Sequence, residues 1–304
     1  MSEIIRIQNI AEYHQLRGLK TLHPLVSVFD LSQVPRLKPA SYNVNLFAVF
    51  FKEIKCGELL YGRHHYDYQD GTLLFLSPGQ VVTVPSEGGS IEPKGWALLF
   101  HPDLIKGTTL GKSIFQYSFF SYDVNEALHI SEQERSIVLD CFSKILLELK
   151  HSIDRHSKKL ITSNIEILLQ YCNRFYERQF FTRENTHQGL LAKFETLLQN
   201  YYADQKHEVL GMPTVSYFAG ALNLSANYFG DLIKKETGIS PLEHIQQRIM
   251  DEAKEKVHDL DQSISQIAYN LGFSYPQHFA RLFKQKVGVS PIEYRNQHVV
   301  GRFV

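Results

Sequence analysis

The chain is poor in the residues from which disulfide scaffolds, metal centres and membrane spans are built. Only 3 of its 304 residues are cysteine. Cys56, Cys141 and Cys172 lie far apart, with no Cys-x-x-Cys pair and no Cys/His cluster. This argues against a disulfide framework or a zinc site and for a reducing compartment. Charge of one sign is also lacking. Lys plus Arg equals Asp plus Glu at 32 each, so no global field draws the chain to nucleic acid or membrane, and a nucleic-acid partner must be argued from local charge. No run approaches the roughly 20 apolar residues of a membrane span. The opening "MSEIIRIQNIAEYHQL" has neither the basic nor the apolar stretch of a secretory leader. The expectation is a soluble, cytoplasmic protein with no membrane partner.

What is present falls into three textures. From about 40 to 105, short apolar runs alternate with turn residues: "NLFAVFF", "CGELLYG", "YDYQDGTLLFLSPGQ" and "GWALLFHP". Such spacing predicts short strands in an all-β sandwich or barrel, with the Pro-Gly of "LSPGQ" as a tight turn between two of them. From about 131 to 181 the pattern is helical. Ser131 and Glu134 form a capping box, and Ile137, Cys141, Ile145 and Leu149 follow at helical spacing. A second amphipathic run carries Leu160, Asn164, Ile165, Leu168, Leu169, Cys172 and Phe175. These two helices make either an intramolecular hairpin or the seam of a homodimer, and periodicity does not separate the two. The polar "TRENTHQG" at 182 to 189 reads as a linker between a first domain, 1 to 181, and a second, 190 to 304.

The second domain repeats itself. Val215, Phe218, Ala219 and Leu222 take the spacing i, i+3, i+4, i+7, and Ile264, Ile267, Ala268 and Leu271 take it again. A break follows each ("NLS", then "GFS"). A second helix follows the break, anchored by Phe229, Leu232 and Ile233 in the first copy and by Phe279, Leu282 and Phe283 in the second. Gly238 and Gly288 close these helices, and Ser-Pro-x-Glu restarts the chain at Ser240 and at Ser290. The prediction is two helix-turn-helix units joined by the helix that begins at Pro241.

The copies differ mainly on one face. Opposite Phe279, Leu282 and Phe283, the second copy presents Gln277, Arg281 and Lys284. Arg bridges guanine O6 and N7 and Gln bridges adenine N6 and N7, so this pair suits a major groove, with Lys284 and Lys286 on phosphates. The first copy offers Asn227, Asp231, Lys234 and Lys235. Asp231 is discordant because a carboxylate repels phosphate, which assigns most base reading to the second copy. A helical-repeat scaffold would need about three or more units, and there are two.

Residues from about 190 to 296 resemble the DNA-binding domain of the AraC/XylS transcriptional regulators, the closest stretch being "ISQIAYNLGFSYPQHFARLFKQKVGVSPIEYR". The resemblance implies base contacts from Gln277 and Arg281, with His278 and Lys284 beside the groove and Asn227 and Gly230 offered by the first unit. It also implies a cupin-like sensor ahead of the reader. The fold class expected is therefore α+β: a cupin-like β-barrel with a helical pair, then an all-α domain of two helix-turn-helix units that binds double-stranded DNA.

A metal in the barrel is not expected. Cupin enzymes use His-x-His, whose side chains share a face of a strand, whereas His64 and His65 are adjacent and point to opposite faces. His101 stands alone. No catalytic residue, cofactor or metal is therefore assigned. A small-molecule effector suits the barrel better, with Tyr42, Phe47, Phe51, Tyr61, Trp96 and Phe100 as walls or simply as core, and Arg63 and His64 as polar contacts. The ligand contacts expected are Tyr42, Arg63, His64 and Trp96. Two rival readings are a cupin-type metalloenzyme with a helical appendage and a protein-interaction module.

Overall fold

A computed structural model describes residues 4–35, 37–53, 71–84, 94–123, 126–182 and 189–300. The chain divides into two compact units, Met1–Glu184 and Asn185–Val304. Each is described by itself.

The first unit contains two sheets. One has three strands in the order β1 (Ile4–Ile7), β3 (Ala40–Val44), β6 (Gln80–Val84). The other has five: β2 (Val26–Asp30), β7 (Gly95–Phe100), β4 (Phe47–Lys52), β5 (Thr72–Leu76), β8 (Leu128–His129). All neighbours are antiparallel except β1 and β3. The described strands thus form a pair of sheets and not one closed barrel. The expected Pro-Gly turn is present, with Gly79 at φ +87°. It links strands of different sheets, because β5 and β6 do not pair with each other.

Register decides which side chains share the space between the sheets. Ala48 lies opposite Leu99 and Phe50 opposite Ala97; Ala48, Ala97 and Leu99 belong to one buried cluster with Ile7, Ile10, Leu31, Tyr42 and Val44, and Phe50, partly buried, packs against it. Phe47 lies opposite Phe100, and Phe51 opposite Trp96. A strand alternates faces at every residue, so Phe47, Phe51, Trp96 and Phe100 share the other face. Gly95 permits the closest approach, since at φ +128° any Cβ would run into the carbonyl oxygen of Phe51.

A short helix, α1 (Ile10–Arg17), precedes β2 and ends on Gly18 in the left-handed conformation. After β7 come two short helices, α2 (Pro102–Ile105) and α3 (Thr109–Ser113). The predicted helical pair is α4 (Glu132–Lys150) and α5 (Ser157–Thr182), and the two pack on each other. Ser131 and Glu134 make the capping box. Val138, Cys141, Phe142 and Ile145 of α4 and Ile165, Leu168, Leu169 and Cys172 of α5 are buried. An intramolecular hairpin therefore exists. Leu160 is exposed and Asn164 is half-buried, its side chain donating to the Leu160 carbonyl at 2.9 Å. The hairpin is tied to the sheet through Arg178, which donates to Glu134 at 2.7 and 2.8 Å and to the His129 carbonyl at 2.6 Å. Burial pushes the Cys141 thiol up to about 11 and the Cys172 thiol well above its ordinary value, so both stay protonated packing groups.

The second unit is helical: α6 (Leu190–Ala203), α7 (Lys206–Leu210), α8 (Val215–Ala221), α9 (Ala226–Thr237), α10 (Pro241–Val257), α11 (Ile264–Asn270), α12 (Pro276–Val287) and α13 (Pro291–Val300). Two cores hold it. Phe194 of α6 meets Phe218 and Phe229 edge to face at 5.2 Å each. In the second, Phe283 meets Phe279 at 5.6 Å and Tyr294 at 5.4 Å. Among the described residues no helix is long and apolar enough to cross a membrane.

Candidate nucleic-acid interface

The two breaks in the repeat are the same turn built twice. Leu222 N–H donates to the Phe218 carbonyl at 3.1 Å, Asn223 to Gly220 at 3.1 Å and Leu224 to Ala219 at 2.9 Å. In the second copy Leu271 donates to Ile267 at 3.0 Å, Gly272 to Tyr269 at 2.9 Å and Phe273 to Ala268 at 3.0 Å. The middle residue is left-handed in both, Asn223 at φ +57° and Gly272 at φ +89°. Glycine and asparagine are the residues that adopt this conformation most readily.

Helix starts follow the same logic. Ser225 accepts from Tyr228 N–H at the start of α9, and Ser263 with Gln266 forms a capping box on α11. α12 starts differently, on Tyr275 with no side-chain cap and with Pro276 in the first turn. Proline has no N–H to leave unsatisfied there.

These supports fix what α9 and α12 present. Phe279 and Phe283 are fully buried, while Gln277, His278, Arg281 and Lys284 are exposed. The sequence-predicted residues of the second copy thus lie together on the outer face of α12. That helix carries Arg281, Lys284 and Lys286 and no acidic residue. In α9, Asn227 and Lys234 are exposed, whereas Gly230, Asp231 and Lys235 are half-buried. Its two lysines are offset by Asp231 and Glu236. Gly230 has open space where a Cβ would stand, so its backbone is approachable.

Five neighbours of this face, Tyr275, Gln285, Gln246, Gly211 and Met212, lie outside the sequence expectation. A groove of about 610 Å³ runs along α12, lined by His278, Arg281 and Gln285 with Tyr275, by Gln246 of the bridging helix α10, and by Gly211 and Met212. Tyr275 is 58% exposed and its ring lies 5.4 Å from that of His278. The exposed aromatic directly before the helix was the available signal. The wall at Gly211 is close: a Cβ on Gly272 would lie 2.8 Å from the Gly211 carbonyl carbon, and Met212 N–H donates to the Gly272 carbonyl at 3.0 Å. From the other side Arg295 donates to the carbonyls of Val257 at 2.7 Å and Gln262 at 3.0 Å. It thereby ties α13 to the end of α10.

Residues 218–297 match the family model described as a helix-turn-helix domain. Through this domain the chain belongs to the AraC family of transcriptional regulators. No curated protein matches it. Among solved structures, this AraC-family chain is similar to the C-terminal domain of AraT, a response regulator from Geobacillus stearothermophilus, at 30% identity over 34% of this chain and 84% of that one, TM-score 0.30. It is similar to the C-terminal domain of the response regulator yesN from Fusobacterium nucleatum at 26% identity over 33% and 96%, TM-score 0.29. ToxT from Vibrio cholerae aligns over 89% of this chain and 97% of its own, at 14% identity and TM-score 0.29. Those TM-scores describe loose superpositions, and the family assignment rests on the sequence match.

The sensor residues are dispersed. Arg63, His64, His65, Tyr61 and Cys56 lie outside the described residues, as does the segment "CGELLYG". Tyr42 is buried within the cluster between the sheets and its hydroxyl donates to the Lys38 carbonyl at 2.8 Å. Trp96 lies on the opposite face of β7 from that cluster. His101 caps α2 by accepting from Asp103 N–H at 3.1 Å. Among the described residues no three His, Cys, Asp or Glu side chains come together as a metal set.

Proposed function

We propose that this chain is a sequence-specific, DNA-binding transcription regulator whose two helix-turn-helix units enter successive major-groove segments on one face of the duplex. The observation that carries the reading is the duplication: one turn geometry is built twice beneath helices whose outward letters differ. In α12, Arg281 and Gln277 read base edges, His278 sits beside the groove, and Lys284 and Lys286 hold phosphates. In α9, Asn227 and the approachable backbone of Gly230 contribute contacts, with Lys234 and Lys235 on the phosphate backbone.

The same proposal makes the first unit the sensor. A small molecule there alters DNA binding only by favouring one arrangement of the chain over another. Two copies pair through the outer faces of α4 and α5, where Leu147, Leu160 and Ile167 are exposed. The reading places the protein in the cytoplasm with its DNA and requires no catalysis.

Selection of genomic fragments by the purified chain at moderate salt, followed by sequencing, tests it. The expected result is a motif with two half-elements about one helical turn apart. Binding should weaken steeply as salt rises, because each neutralised phosphate releases counterions. Weak, salt-insensitive and motif-free binding would favour the protein-interaction reading instead.

A further inference from the structure

Around the two helix-turn-helix units, helix starts follow one rule with one departure. Thr214 at α8, Ser225 at α9, Ser240 at α10, Ser263 at α11 and Ser290 at α13 each accept a hydrogen bond from a backbone N–H of the first turn. Helix α12 opens instead on Tyr275, which makes no side-chain cap. The expected serine is present but stands one residue too early. The turns correspond through Leu224 and Phe273, which donate to the Ala219 and Ala268 carbonyls, and a serine follows each, Ser225 and Ser274. Phe229 then stands five residues after Leu224, whereas Phe279 stands six after Phe273. Tyr275 is the extra residue.

The insertion weakens the start of α12, because a helix that loses its serine cap loses stability, and Pro276 offsets only the N–H it lacks. In the cap's place stands a large ring that is 58% exposed. Packing in the core does not account for it. The ring meets His278 edge to face at 5.4 Å and 64°, and His278 is itself exposed. The two rings form a ridge on the surface, apart from the buried Phe279 and Phe283. This ridge lines the same groove as Arg281 and lies at the N-terminal end of α12. In a reader helix, that end is the one that reaches base edges.

We propose that Tyr275 is a third specificity-determining residue of α12, beside Gln277 and Arg281, and that its ring recognises the 5-methyl group of a thymine. This deepens the reading of the chain as a DNA-binding regulator and rests on it. Among the four bases only thymine carries a methyl group on its major-groove edge, and apolar side chains are what read it. Gln277 and Arg281 seek donors and acceptors and leave that methyl group unread. The Tyr275 ring supplies the apolar surface, and His278 props it from one side. In the first unit the matching position is the capping Ser225, so the thymine contact belongs to the second unit alone. A bond from the Tyr275 hydroxyl to phosphate would position the helix without reading sequence.

The test uses the full chain and a duplex carrying the motif recovered by fragment selection. Each thymine of the motif is replaced in turn by deoxyuridine, which removes the 5-methyl group and nothing else. At one thymine the wild type should bind about fourfold more weakly, which is what one buried methyl-sized group is worth. Tyr275→Ala should bind the thymine duplex at least that weakly and lose nothing more on uracil, since the two changes remove the same contact. Tyr275→Phe should match the wild type. Tyr275→Ser should match Tyr275→Ala on DNA, while its melting temperature without DNA stays the same or rises, because serine restores the cap. A uracil scan with no effect at any thymine would overturn the proposal, as would equal uracil sensitivity in wild type and Tyr275→Ala. So would weak binding by Tyr275→Phe, which would make the hydroxyl a phosphate contact, or a clearly lower melting temperature for Tyr275→Ser, which would make the ring a prop of the fold. A selection that recovers no motif sinks the regulator reading and this inference together, whereas a motif with a flat uracil scan sinks this inference alone.

Discussion

The two helix-turn-helix units show how one scaffold carries two different surfaces. Their turns agree to within a few tenths of an ångström in hydrogen-bond length, and both close the second helix with a left-handed glycine, Gly238 at φ +80° and Gly288 at φ +91°. Their outer faces do not agree. α12 carries three cations and no acid, whereas the cations of α9 are balanced by Asp231 and Glu236. Packing therefore constrains one side of each helix, and the chemistry of the other side is free to diverge. On the proposed reading, the same fold does a stronger and a weaker version of one task.

The comparison breaks most severely if its cores are not equivalent. Phe229 and Phe279 occupy matching positions and both are fully buried. Truncation of either to alanine should cost about 3–5 kcal/mol through lost burial and the cavity left behind. Urea unfolding of the second unit within the full chain measures both. A large loss at Phe279 with a negligible one at Phe229 would mean that the first unit is not a true copy.

The turns give a smaller, asymmetric effect. Gly272→Ala puts a Cβ at φ +89° and within 2.8 Å of the Gly211 backbone. A loss of about 2 kcal/mol or more is expected, since left-handed backbone alone costs roughly 1–2. Asn223→Ala should cost only about 1 kcal/mol, because the penalty there is conformational. Similar losses at the two sites would show that the approach of Gly211 is relaxed at little cost.

Surface chemistry separates the copies in a binding assay. Arg281→Ala should lose about 1–3 kcal/mol of affinity and relax one position of the selected motif. Lys284→Ala should weaken binding evenly across sequences and reduce its salt dependence. Asp231→Asn should raise affinity modestly on all sequences by removing a carboxylate from the groove side. If instead Asp231→Asn relaxes the motif at one position, the first unit reads a base through Asp231 and the units are nearer equals.

Most of the second unit is legible in the sequence because its determinants are local. Helical spacing, Ser-Pro-x-Glu and closing glycines each act within a few residues, and the duplication displays them twice. Tyr275 is a local signal that helical periodicity does not weigh, whereas Gly211 escapes a sequence reading because its role depends on Gly272, distant in the chain. The first unit resists for the same reason throughout. β1, four residues long, exists by pairing with β3 some thirty-odd residues later, and β2 by pairing with β7. Aromatic content pointed to Trp96 and Phe51, but register places Phe50 and not Phe51 against the cluster between the sheets.

The finest test of the repeat is its capping boxes. Ser240 N–H donates to Glu243 at 2.8 Å while Glu243 N–H donates to the Ser240 hydroxyl at 3.3 Å, and Ser290 with Glu293 shows the same two distances. Ser240→Ala and Ser290→Ala should each cost about 1 kcal/mol. The serine N–H bonds hold both carboxyls below their ordinary value of 4.5. A carboxylate with a lowered folded pKa stabilises above its unfolded value and loses that contribution as pH falls through the folded one. Wild-type stability should therefore decline from about pH 4.5 downward, and Glu243→Gln with Glu293→Gln should flatten that decline without abolishing the helices. Unfolding at a series of pH values reads this directly. A decline left unchanged in the double variant would show that neither box contributes through its charge, and the N-terminal ends of α10 and α13 would then owe their stability to proline and packing alone.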